Sequence, residues 1–198
     1  MLELPDHWVW DSWYVTHEGV HHAFFLRASR ALQDPEQRHE RASIGHAIST
    51  DYANWTLLPD ALVASDGPAW DDLATWTGST VRGQDGRWYL FYTGISREHR
   101  TGIQNIGVAV SDDLVNWVRH GTAPIVQPDS RWYETGPSEA WPERAWRDPW
   151  VFPDPAGGWH MLLTARAAAG VPRDRGVVGH AWSPDLLRWE CRPPLSAP

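Results

Sequence analysis

The chain has 198 residues, 42% hydrophobic and 21% charged, with 16 glycines and 16 prolines, an ordinary globular composition that excludes collagen, coiled coil and disorder. A formal charge of -8, with 17 Lys and Arg against 25 Asp and Glu, has the wrong sign for gripping a phosphate backbone, so no nucleic-acid partner is expected. The single cysteine, Cys191, excludes an internal disulfide and a multi-thiolate metal centre.

The N-terminal stretch Met1-Leu2-Glu3-Leu4-Pro5-Asp6 lacks a basic start and an apolar core, and nowhere do about 18 apolar residues run together. A soluble, cytoplasmic chain that meets no membrane is the expectation. Its unusual feature is its 15 tryptophans, which calls for repetition, stacking surfaces or both.

Repetition is visible directly. Gly45-His46-Ala47-Ile48-Ser49-Thr50-Asp51 is followed by Trp55, Gly107-Val108-Ala109-Val110-Ser111-Asp112-Asp113 by Trp117, and Gly179-His180-Ala181-Trp182-Ser183-Pro184-Asp185 by Trp189. The tryptophan lies 10 residues after its glycine in every copy, and successive copies begin 62 and 72 residues apart. Ahead of each copy stand two further segments. One begins Trp10-Asp11-Ser12-Trp13, Trp76-Thr77-Gly78-Ser79 or Trp146-Arg147-Asp148-Pro149; the other is an aromatic or aliphatic run at His22–Leu26, Trp88–Tyr92 or Trp159–Leu163.

Short β-rich runs bounded by Gly, Asp and Pro predict antiparallel strands, four to a unit. Units of this kind in series predict an all-β propeller, with one blade over about 6–65, a second over about 70–128 and a third over about 144–198. Propellers close with about 4 to 8 blades. Three wedges cannot close a ring, so the chain is expected to be part of a longer protein, or to associate with itself through apolar terminal faces.

First strands of blades converge on the axis. Asp11 lies four residues before Val15 and Asp148 four before Phe152, so the two occupy equivalent places in the first and third blades. The matching stretch of the second holds Thr77, Gly78 and Ser79. An inner-strand carboxylate needs a reason, because burying an unpaired charge is costly. Two across one funnel suit glycoside chemistry.

The blocks Val9-Trp10-Asp11-Ser12-Trp13, Trp76-Thr77-Gly78-Ser79 and Arg147-Asp148-Pro149 resemble, in order and spacing, the signatures of the five-bladed propeller glycoside hydrolases. These are the levansucrases, invertases and arabinanase-like enzymes of glycoside hydrolase families 68, 32 and 43. The resemblance implies a retaining two-carboxylate mechanism on furanosides, sucrose- or fructan-like or arabinofuranosidic, by hydrolysis or fructosyl transfer. It implies Asp11 as nucleophile and Asp148 as transition-state stabiliser. Arg147 would contact the sugar or orient a carboxylate, and Trp10, Trp76 and Ser79 would line the furanose pocket.

The family's acid/base glutamate has no counterpart here. Glu190, in Trp189-Glu190-Cys191, imitates the invertase block, yet the repeat aligns it with Thr56 and Val118 on an outer strand. Without that acid the chain alone is expected to be inactive. A non-catalytic carbohydrate- or protein-binding propeller, or an inactive truncated fragment, is the alternative.

Other prominent residues have plainer readings. Asp51, Asp113 and Asp185 read as turn caps. Asp71, Asp72, Glu134, Glu139 and Glu143 read as solvated loop charges, with the alternative that the Pro-containing stretch carrying the three glutamates overhangs the funnel and shapes the substrate subsite. Trp8, Trp13, Trp70, Trp132 and Trp141 fall outside the repeat and are candidates for sugar contacts. The ten histidines suggest no metal site, since His46 and His180 share a position with Val108 and the adjacent His21 and His22 point to opposite strand faces. No cofactor is implied, and a structural calcium stays open.

Overall fold

Each sequence repeat folds as one antiparallel sheet in the computed structural model, which describes residues 2–198. The first sheet contains β1 (His7–His17), β2 (Val20–Ser29), β3 (Ser43–Ser49) and β4 (Thr56–Leu62). The second contains β5 (Ala74–Arg82), β6 (Trp88–Ser96), β7 (Arg100–Ser111) and β8 (Val118–Arg119). The third contains β9 (Trp146–Pro153), β10 (Trp159–Arg166), β11 (Gly176–Ser183) and β12 (Glu190–Arg192). Strands pair in chain order, so every sheet is a four-stranded meander, the blade of a propeller.

Two 3-10 segments, Arg30–Leu32 and Pro35–Glu40, occupy the connection from β2 to β3, where the sequence pattern predicts no helix. Local chemistry explains the second. The Asp34 carboxylate accepts the Glu36 N–H at 3.0 Å, and Pro35 stands in the first turn, where its missing N–H costs nothing.

Blades pack face to face through aromatic and aliphatic side chains. Trp13, Phe24, Leu26 and Ile44 of the first meet Trp88, Leu90, Tyr92 and Leu114 of the second. On the other side of the second blade, Tyr89, Phe91, Ile106 and Val108 meet Trp146, Val151, Met161 and Leu163 of the third. Leu2 and Leu4 cover part of the outward face of the first blade, over Ala23, Phe25 and Ala47; elsewhere the outward faces of the first and third blades are open, with Tyr14 56% and Trp150 57% exposed.

The recurring Ser-x-Asp…Trp segment is a turn. Asp51, Asp113 and Asp185 each accept backbone N–H groups two and three residues ahead. These bonds hold each carboxyl below the usual aspartate range. Trp55, Trp117 and Trp189 close the same turns, each indole N–H donating to the carbonyl three residues back. The repeated tryptophan therefore precedes the outer strand rather than beginning it.

Equivalent histidines form pairs in the first and third blades. His22 Nδ1 lies 2.9 Å from His46 Nε2, and His160 Nδ1 lies 2.9 Å from His180 Nε2. The second blade places Tyr89 and Val108 there. His46 is fully buried, stacks on Phe24, and its Nδ1 has no hydrogen-bond partner. Burial, with the neighbouring His22, pushes its imidazole down from 6.5 to about 4.

As pH falls below 6.5, the unfolded chain takes up the proton before the folded one does, so stability is lost progressively toward pH 4. His46→Val, which copies the second blade's Val108, should remove roughly 3 kcal/mol of that loss at most. Urea unfolding at pH 5 and pH 7 measures it. An unchanged pH dependence in the variant would show that His46 titrates normally in the fold.

Candidate active site

The inner strands β1, β5 and β9 share one irregularity. In β1, Trp10 pairs with Leu26 and Ser12 with Phe25, leaving Asp11 as an extra residue. In β5, Trp76 pairs with Thr93 and Gly78 with Tyr92, leaving Thr77. In β9, Arg147 pairs with Thr164 and Trp150 with Leu162, so Asp148 and Pro149 oppose only Leu163. Bulges bend a strand and re-aim side chains that a regular ladder would bury between sheets.

Asp11 and Asp148 both adopt left-handed backbone, with φ of 39° and 58°, a conformation that aspartate tolerates better than most residues. Gly78 explains the glycine of its block: a Cβ there would lie 1.8 Å from the Phe91 carbonyl oxygen, so only glycine lets the bulge lie this close to β6.

Hydroxyl groups converge on these carboxylates. The Thr77 hydroxyl donates to Asp11 Oδ2 at 2.6 Å, and the Thr164 hydroxyl to Asp148 Oδ2 at 3.0 Å. Arg147 Nε lies 3.4 Å from Asp148 Oδ2, while its Nη1 donates to Gln104 Oε1 at 2.9 Å and to Glu143 Oε1 at 3.0 Å. Burial raises the Asp148 carboxyl above its usual value. The Thr164 bond and the Arg147 charge oppose that rise, and the Asp11 and Glu143 charges add to it. Asp11 and Asp148 are joined through Thr77, which bonds Asp11, and Thr93, which bonds both the Thr77 carbonyl and the Asp148 N–H.

A cleft of about 580 Å³ is lined by His39, Glu40, Trp76, Arg100, Glu143 and Arg147; neither aspartate lines it, and Arg147 links it to Asp148. The 3-10 segment builds one wall. Trp76 donates its indole N–H to the His39 carbonyl at 2.6 Å, and Glu40 pairs with Arg100 across the two blades. Trp10 packs edge-on against His39 beneath the Arg38 guanidinium. A second cleft of about 510 Å³ reaches Asp11 from the outward face of the first blade, past Trp10, Ser12, Tyr14 and Trp55.

Several sequence expectations need correction. Ser79 is not a pocket residue: it is 3% exposed, and its hydroxyl accepts the Val151 N–H at 3.0 Å, tying β5 to β9. Trp13 is core, donating to Thr80 at 3.0 Å, and Trp70 stacks on Tyr92. Trp8 and Trp132 lie under the guanidinium groups of Arg30 and Arg131, and Trp141 under that of Arg166.

The loop acids are not all solvated. Asp71 is buried against Tyr92 and Arg119, Asp72 accepts the Arg97 N–H, and Glu134 binds Arg166 and Arg175. Glu143 joins the site through Arg147, Gln104 and Trp141. Glu190, by contrast, lies on β12 with its side chain 63% exposed and paired to Arg192, as the repeat alignment indicates.

Residues 5–198 match the model of the glycosyl hydrolases family 32 N-terminal domain. The chain belongs to that family. Beta-fructofuranosidase 1 of Zea mays is 30% identical to this family 32 chain over 211 residues, covering 96% of it and 29% of the plant protein. An inulosucrase from Halalkalicoccus jeotgali, solved bound to kestose, is 30% identical and superposes with a TM-score of 0.75 over 97% of this chain and 54% of the other. Fructan 1-exohydrolase IIa from Cichorium intybus gives a TM-score of 0.76 at 23% identity, over 99% of this chain and 34% of that one. The family 32 chain thus spans about a third or less of the plant proteins it matches.

The electrostatics of the pair are directly measurable. In carboxyl-carbon NMR titration Asp148 should titrate above the usual aspartate value; Asp11→Asn should lower its midpoint and Thr164→Val raise it. A midpoint that neither replacement moves would mean that the two acids do not share one site.

Proposed function

We propose that this family 32 chain supplies the nucleophile and the charge-stabilising carboxylate of a retaining β-fructofuranosidase or fructosyltransferase. The supporting observation is the pair of aspartates on equivalent bulges, connected by hydrogen bonds through Thr77 and Thr93. The names of the relatives favour fructofuranosides over arabinofuranosides as substrate class.

In this reading an Asp11 oxygen attacks the anomeric carbon and forms the glycosyl ester. The leaving oxygen departs with the bonding pair and takes a proton from a general acid. Asp148, negatively charged, steadies the oxocarbenium-like ring as the bond breaks. Water, deprotonated by the same acid/base, then displaces Asp11 with a second inversion; a sugar hydroxyl in place of water gives transfer.

None of Glu40, Glu143 and Glu190 fits the acid: Glu40 is paired with Arg100. Glu143 is engaged by Arg147, Gln104 and Trp141, and Glu190 is on an outer strand. The acid is assigned to structure beyond these three blades.

A leaving group that needs no proton isolates the first step. With β-fructofuranosyl fluoride the chain should release fluoride and gain the mass of one anhydrohexose, on the peptide containing Asp11. Asp11→Asn should slow this by on the order of 10³-fold, whereas Glu190→Gln should change nothing. Equal fluoride release by wild type and Asp11→Asn, with sugar still bound in calorimetry, would replace the enzymatic reading by a carbohydrate-binding one.

A further inference from the structure

We infer that Thr93 is a positioning residue: its hydroxyl joins the backbone of the blade-two bulge to that of the blade-three bulge and so fixes Asp148 relative to Asp11. The inference rests on the roles proposed for those two aspartates. It concerns a residue that contacts neither carboxylate.

Thr93 lies on β6 opposite Trp76 and is fully buried. A hydroxyl there must have partners, since an unpaired buried polar group is costly. Both of its partners are bulge residues. It donates to the Thr77 carbonyl at 3.2 Å and accepts the Asp148 N–H at 2.9 Å. Thr77 then donates from its own hydroxyl to Asp11 at 2.6 Å. Asp11, Thr77, Thr93 and Asp148 form one hydrogen-bonded line across three blades.

The bulge creates the need for this contact. Asp148 stands outside the β9–β10 pairing, so its N–H has no strand partner, and its left-handed φ of 58° must be held by surroundings. Thr93 supplies the partner from the neighbouring blade.

Comparing the three blades separates this role from a general need of the bulge. The position equivalent to Thr93 is Leu26 in the first blade and Thr164 in the third. Leu26 has no hydroxyl, yet the bulge at Asp11 forms opposite it. Thr164 turns its hydroxyl onto the Asp148 carboxylate rather than onto a backbone N–H. The hydroxyl at this position thus occurs in the two blades that touch Asp148, and each one holds a different part of that residue.

The test uses the whole 198-residue chain and two readouts. In the first, the Asp148 carboxyl is titrated by NMR with and without Asp11→Asn, in wild-type and Thr93→Val backgrounds. The shift caused by Asp11→Asn should shrink at least about twofold with Val and return with Thr93→Ser, which restores the hydroxyl while removing a methyl. An equal shift in all three backgrounds overturns the inference. In the second, the saturating rate of fluoride release from β-fructofuranosyl fluoride should fall about 10- to 100-fold in Thr93→Val with half-saturation nearly unchanged, and recover in Thr93→Ser.

If Asp11→Asn abolishes labelling while Thr93→Val labels at the wild-type rate, the positioning role fails and the enzymatic reading stands. If wild type releases no fluoride, that reading fails, and the titration still decides the role of Thr93. Should Thr93→Val not fold, wild-type hydrogen exchange decides. The Asp148 amide should be protected like the paired amides of β10, and exchange at the rate of an exposed amide would overturn the inference.

Discussion

The site depends on one departure from regular strand geometry, the extra residue inserted into each inner strand. In an unbroken strand side chains alternate between two faces, and here both faces of the central blade are packed against apolar neighbours. A carboxylate on such a strand would be driven into a sheet interface, where an unpaired charge cannot be accommodated. The bulge removes that conflict. Trp10 and Trp13, three residues apart, both join the packing against the second blade, while Asp11 between them stands exposed.

How the carboxylates are satisfied is as telling as where they stand. Several acids away from the bulges are matched with cations: Asp71 with Arg119, Asp60 with Arg27, and Glu134 with two arginines. Asp11 instead receives a neutral hydroxyl, and no cationic side chain reaches it within ion-pair distance among the described residues. A guanidinium clamped on both oxygens would stabilise the anion and blunt it as a nucleophile. Asp148 has an intermediate environment, with one hydroxyl and one arginine that is shared with Glu143 and Gln104. In the proposed mechanism that suits a group that stays charged without bonding to carbon.

The blades, their strand order and the equivalent places of Asp11 and Asp148 on their inner strands are readable in the sequence because a repeat writes the same geometry three times, and equivalent offsets imply equivalent positions. What escapes is whatever the repeat does not encode. Glu143 and the 3-10 segment carrying His39 and Glu40 lie in connections that differ from blade to blade, and nothing in their spacing aims them at the axis. Ser79 misleads because its block suggests a sugar contact, whereas the bulge turns it toward β9. Asp71 and Asp72 look like surface charge until Tyr92, Arg119 and the Arg97 N–H, all remote in sequence, fold over them. Thr93 and Thr164 are legible in principle, as hydroxyls directly after two of the three aromatic or aliphatic runs, opposite a bulge.

Trp13 and Ser79 have a bearing on how the domain tolerates change. Each stands two residues past its bulge and makes one polar bond to the inner strand of the next blade, Trp13 to Thr80 and Ser79 to the Val151 amide. Displacing one blade along the next would break that bond, so each bulge keeps a fixed position against the neighbouring inner strand. Drift at the outer strands, as short as the two residues of β8 and the three of β12, leaves these inner-strand contacts untouched.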